Sequence, residues 1–272
     1  MDNFNFKSKY GFDDLCKIMT VLRAPGGCPW DREQTHESIK KSLIEETYEV
    51  IEAINKNDKT LLCEELGDVL LQVVFHAEME REQGSFDIND VCDGICKKLI
   101  ERHPHVFASD SAETPAEVLV KWDEIKFKSK GQKSQGDSMK AVPIELPALM
   151  RAQKLQSKAK KAGFDWDAAD GAFDALYGEI KELEEACRSG KKENIEDEFG
   201  DVLFSAVNVS RFLDLDSEEA LTKSSNKFLE RYLIVEQLAK ERNINMKETP
   251  IEELDKLWDE AKKIIAEKRQ TE

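Results

Sequence analysis

Residues 45–53 read EETYEVIEA and residues 64–74 read EELGDVLLQVV; residues 178–186 read GEIKELEEA and residues 197–207 read DEFGDVLFSAV. Apolar residues in and around these stretches recur at helical spacing: Leu43, Val50 and Ile54 about the first, Leu66, Val69, Leu70, Val73 and Val74 in the second. Each stretch also carries two acids three residues apart, and residues at that spacing project from one face of a helix. Glu46, Glu49, Glu65 and Asp68 each recur 133 residues later, as Glu179, Glu182, Glu198 and Asp201.

The correspondence extends outward from these stretches. KLIER (98–102) is answered by KFLER (227–231), KWDEIK (121–126) by LWDEAK (257–262) and, weakly, CPWD (28–31) by FDWD (164–167). Strand-type alternation is absent. The chain therefore reads as all-α, two tandem copies of one helical module, a duplication at domain scale. The first module is expected over 1–127 and the second over 147–272. The polar stretch 128–146, with KSKGQKSQGDSMKAVP at its start, is expected to be a linker. APGGCPWD (24–31) reads as a loop and HPH (103–105) as a helix stop.

In each copy the two acid pairs lie on consecutive helices, and a short connection makes those helices antiparallel neighbours. Four carboxylates can then converge at the edge of the packed face. Held that close they repel and their pKa values rise. A hard divalent cation relieves the repulsion; Mg²⁺ prefers oxygen ligands and bridges substrate phosphates, and Mn²⁺ is a natural substitute. Gly67 and Gly200, each just before the Asp, would let a ligand or backbone come close. A single ExxE among 56 acidic residues carries no information, since a solvated acidic helix face has the same look. The weight comes from two pairs at matching positions inside apolar helices. A di-iron carboxylate bundle would need Glu-x-x-His where this chain has ExxD.

Lys98 and Arg102, like Lys227 and Arg231, are four apart, a spacing that can clamp phosphate oxygens. Trp122 and Trp258 can stack on a base or sugar, or serve as ordinary core aromatics. The four histidines show no zinc-like spacing, and no P-loop is present. A formal charge of −16 argues against a nucleic-acid coat. The six cysteines form no CxxC, which fits reduced thiols of a cytoplasmic protein. The N-terminus has no signal-peptide character and no apolar run is long enough to span a membrane.

Taken together, GGCPWDREQTHESIKKSLIEETYEVIEAI, EELGDVLLQVVFHAEM and FDINDVCDGICKKLIERHPHVF resemble the N-terminal half of MazG-type nucleoside triphosphate pyrophosphohydrolases. LPALMRAQKLQSKAKKAGFDW with DEFGDVLFSAVNVSRFL resembles their C-terminal half, so the likeness covers nearly the whole chain. The resemblance implies modules that dimerise into helix bundles, so a homodimer, and Mg²⁺-dependent hydrolysis of ribo- or deoxynucleoside triphosphates to monophosphate and pyrophosphate. It implies Glu179, Glu182, Glu198 and Asp201 as metal ligands, Lys227 and Arg231 at the phosphates and Trp258 at the nucleotide. Glu182 or its neighbour Glu198 is then expected to orient or deprotonate the attacking water. Two family lysines are replaced here, by Ala175 and Asn194. The first copy keeps its four acids with Lys98, Arg102 and Trp122. The competing expectation is a non-catalytic acidic scaffold that binds nucleotide or metal.

Overall fold

The computed structural model describes residues 6–108, 111, 114–129, 131 and 134–271. These residues form thirteen α-helices and no strand, the architecture expected from the apolar spacing. The chain divides into two units, Met1–Lys126 and Phe127–Glu272.

In the first unit, α1 (Phe12–Arg23) and the short α2 (Pro29–Glu33) precede α3 (His36–Asn55) and α4 (Lys59–Gln83). α2 begins inside the stretch read as a loop, because Pro29 fits the first helical position, where its missing N–H is not needed. Thr35 caps α3 by accepting from Ser38 N–H at 3.2 Å. Asp58 caps α4 by accepting from Thr60 and Leu61 N–H at 2.9 and 3.0 Å. Only three residues separate α3 from α4, and Asn57 takes a positive φ of 53° to reverse the chain. α4 then packs along α3 on one side and α1 on another. Its C-terminal half buries Val74, Phe75 and Met79 against Met19 and Ile39, the core of the unit. The N-terminal half leaves part of its apolar stripe open: Leu66 is 52% exposed, and Leu70 and Val73 are also exposed. α5 (Ile88–Arg102), short α6 (Pro104–Phe107) and α7 (Pro115–Ser129) follow. α5 stops at Arg102 as HPH suggested, and Pro104 at once opens the short α6.

The second unit holds α8 (Gln135–Lys140), α9 (Ala148–Lys161), α10 (Ala169–Ser189), α11 (Lys192–Phe212), α12 (Ser217–Glu241) and α13 (Ile251–Thr271). α8 lies within the stretch read as a linker. Ser134 caps it, accepting from Asp137 N–H, and it packs on α9 with Ser138 and Val142 buried. Gly190, at φ 70°, joins α10 to α11 in a two-residue connection, so these helices pair as α3 and α4 do. α9 lies against α11 and α12: Gln153 Nε2 donates to Leu215 O, and Ser217 N–H donates to Gln153 Oε1. Val235, Leu238 and Ala239 of α12 pack on Leu257 and Ala261 of α13.

Candidate metal centres and phosphate-binding residues

The α3–α4 pair brings carboxylate oxygens of Glu46, Glu49 and Glu65 within 4.8 Å of one another, and the α10–α11 pair does the same for Glu179, Glu182 and Glu198. Glu65 is only 9% exposed, while Glu198 and Glu179 are half-buried. Burial pushes the Glu65 carboxyl above the usual range, and the Glu49 and Asp68 charges add to this. Burial likewise raises Glu46, aided by Asp68 and Glu49. In the second unit burial raises Glu179 and Glu198; Asp201 and Glu182 reinforce both. So Asp68 and Asp201 stand outside the tight triads, yet close enough for their charge to be felt.

Each triad offers oxygen donors alone and holds them in mutual repulsion. That donor set suits a hard divalent cation rather than a thiolate- or imidazole-seeking one. Burial and neighbouring acids are what raise these four carboxyls. A Cβ added at Gly67 or Gly200 would meet nothing within 4 Å, so the close approach expected there is not made within the chain.

The basic residues are placed separately. Arg231 lies over the Trp258 ring, 5.6 Å from its centre, and Phe228 meets that ring at 5.3 Å. Lys227 lines a polar groove with Lys223 and Arg269. Both therefore meet residues of α13: Arg231 meets Trp258, and Lys227 shares its groove with Arg269. In the first unit Trp122 meets His103 edge-on at 5.3 Å, Lys98 is exposed, and Arg102 Nε is buried without a partner, as is His105 Nδ1.

One cluster was not legible in sequence. His36 and His76, forty residues apart, stack 5.0 Å between centres and share a hydrogen bond of 2.7 Å between their Nδ1 atoms. His36 Nε2 also bonds Glu80 at 2.6 Å. His76 and Glu80 are four apart on α4, but nothing in the spacing points to a partner at the start of α3. The described cysteines are all free thiols, and Cys92 and Cys96 both face outward on α5.

A family model described as the MazG nucleotide pyrophosphohydrolase domain matches residues 34–107 and 171–249. Both acid sets, Lys98, Arg102, Lys227 and Arg231 fall inside these spans, while Trp122 and Trp258 fall outside. A Thermotoga maritima protein named nucleoside triphosphate pyrophosphohydrolase/pyrophosphatase MazG is 47% identical over 251 residues, covering 92% of this chain and 95% of its own. An Escherichia coli K12 protein named nucleoside triphosphate pyrophosphohydrolase is 44% identical over 254 residues, covering 92% and 97%.

Proposed function

The chain belongs to the MazG family of nucleotide pyrophosphohydrolases, and from that premise we propose that it hydrolyses nucleoside triphosphates to monophosphate and pyrophosphate at its clustered acids, with Mg²⁺. The observation that carries this reading is the convergence of three glutamates in each unit, each cluster held in a state that a divalent cation would relieve.

Glu179, Glu182, Glu198 and Asp201 would hold the cation of the second site, and Glu46, Glu49, Glu65 and Asp68 that of the first. A cation bound there would offset the triphosphate charge and make an attacking water more acidic. Glu182, the most exposed member of its triad, takes the proton from that water, with Glu198 beside it. The water attacks the α-phosphorus and pyrophosphate leaves. Lys227 and Arg231 offset the charge that builds on the leaving group, the electrostatic contribution that dominates phosphoryl transfer. Trp258 keeps the Arg231 guanidinium in place and offers an edge to the sugar. Lys98, Arg102 and Trp122 take these parts in the first copy.

The acids and the basic residues come together in a homodimer. Its helix faces are the apolar side chains left open in each unit, among them Ile51, Leu66 and Leu70 in the first and Tyr177, Phe199 and Leu203 in the second. The protein works in the cytoplasm, without nucleic acid; no helix among the described residues is long and apolar enough to cross a membrane. A panel of NTPs and dNTPs with Mg²⁺ tests the reading, scored for monophosphate plus pyrophosphate. Glu198→Gln and Asp201→Asn should each lose pyrophosphate release; wild-type rates in both would remove the second site from the chemistry, and Glu65→Gln asks the same of the first.

A further inference from the structure

A cavity of about 580 Å³ opens in the second unit between α9, the turn that follows it and α11. Its volume lies in the range of small-molecule sites. Leu155, Phe164, Trp166 and Phe204 make its walls apolar and aromatic, and Gln156 and Asn208 stand among them.

The polar groups are specific. Gln156 is 7% exposed. Its Nε2 donates to the Phe204 carbonyl at 2.8 Å, which fixes the amide and leaves Oε1 as the acceptor. That oxygen is buried with no partner, and a buried acceptor left unpaired is unfavourable until something donates to it. Asn208 Oδ1 accepts from Arg211 Nε at 2.9 Å and Nη2 at 2.7 Å, so its Nδ2 is the side left to donate. Arg211 is in turn held by both Asp165 oxygens, at 2.9 and 2.5 Å. The arginine charge is thus already matched, and the cavity does not call for an anion. Flat apolar walls, one acceptor and one donor describe a neutral aromatic heterocycle with an N–H and a ring acceptor.

Its place relative to the acids follows from α11. Asp201, Phe204, Asn208 and Arg211 succeed one another at spacings of 3, 4 and 3, so they share one helix face. From Asp201 to Asn208 the helix rises ~10 Å, a span suited to a sugar and base reaching away from phosphates held at the acids. We propose that this cavity is the nucleobase pocket of the second site, with Phe164, Trp166 and Phe204 stacking on the base and Gln156 Oε1 accepting from its N–H. The proposal rests on the pyrophosphohydrolase reading. It gives the base a seat away from Trp258, whose ring already faces Arg231 and Phe228. Gln156, Phe164 and Trp166 lie outside the span matched by the family model.

Calorimetric titration with AMP, CMP, GMP and UMP tests it on wild type, Phe164→Ala and Gln156→Leu, with inorganic triphosphate as a probe that has no base. Phe164 is 83% exposed, so its truncation leaves the fold intact. Losing one stacking wall should weaken monophosphate binding roughly tenfold, with triphosphate binding unchanged; Gln156→Leu should act in the same direction. Equal monophosphate affinity in wild type and Phe164→Ala, or no monophosphate binding by wild type, would overturn the pocket. The two readings fail separately. Wild type that binds bases through Phe164 but releases no pyrophosphate keeps the pocket and loses the activity. A Phe164→Ala enzyme with wild-type KM for NTPs keeps the activity and loses the pocket.

Discussion

Glu49 on α3 and Glu65 on α4 bring carboxylate oxygens within 4.8 Å of each other, and the Glu49 charge adds to burial in raising the Glu65 carboxyl above the usual range. Burial and repulsion between carboxylates that close both favour the protonated form of Glu65 when no cation is present. The sign of the consequence is fixed. A carboxyl whose folded pKa is raised binds more protons folded than unfolded, so stability falls as pH rises from the ordinary glutamate value through the raised one. Metal-free protein should therefore melt lower at neutral pH than a Glu65→Gln, Glu198→Gln double variant measured beside it. Mg²⁺ at a hundredfold excess over its dissociation constant should add about 2.7 kcal/mol to wild type and less to the variant. Thermal melts in EDTA and in Mg²⁺ from acid to neutral pH check this; a flat difference between the two proteins would contradict it.

Arg211 and Asp165 form an ion pair with side chains only 8% and 14% exposed. The Arg211 guanidinium holds the Asp165 carboxyl below the usual range. Removing one partner leaves a buried charge unmatched, so Arg211→Ala should cost about 3–5 kcal/mol in urea unfolding. Because the Asp165 pKa is lowered, the pair's stabilisation is present above the ordinary aspartate value and lost as pH falls through the lowered one. The wild-type advantage over Asp165→Asn should shrink in that acid window.

Gly171 opens the way for Trp166. A Cβ there would lie 2.5 Å from the indole Cδ1 and 2.6 Å from Cγ. Gly171→Ala should force the ring aside at about 1–3 kcal/mol, although the added methyl favours the helix by up to about 1 kcal/mol. Tryptophan fluorescence, compared with a Trp166→Phe background, reads the displacement.

How far the sequence reached depends on the kind of contact. The acid triads were legible because their members sit on helices joined by connections of two or three residues, where spacing alone fixes which side chains meet. The Gln156–Trp166 cavity was not. It joins α8, α9 and α11 across distances that periodicity does not constrain, and α8 hides in a polar stretch held by a Ser134 cap and the buried Val142. The basic residues show the opposite limit. Their i, i+4 spacing was plain, but where α12 packs is a tertiary matter, and within one chain it places Arg231 on Trp258. The apolar spacing of residues 64–74 is regular, yet Leu66 and Leu70 are open; apolar spacing marks a face to be covered, not what covers it.

That open face predicts the mass in solution. Sedimentation should give twice the chain mass, and Leu70→Asp with Leu203→Asp should shift the protein toward the monomer. A wild-type monomer at micromolar concentration would remove the homodimer from the account.

The central claim is that water attacks the α-phosphorus at the clustered acids. Hydrolysis of an NTP with Mg²⁺ in ¹⁸O-labelled water reads it directly, by mass spectrometry of the products. The account predicts label in the monophosphate, unlabelled pyrophosphate, and a rate that falls roughly 10²–10⁴-fold in Glu182→Gln. Label in the pyrophosphate, or release of diphosphate and inorganic phosphate, would contradict it.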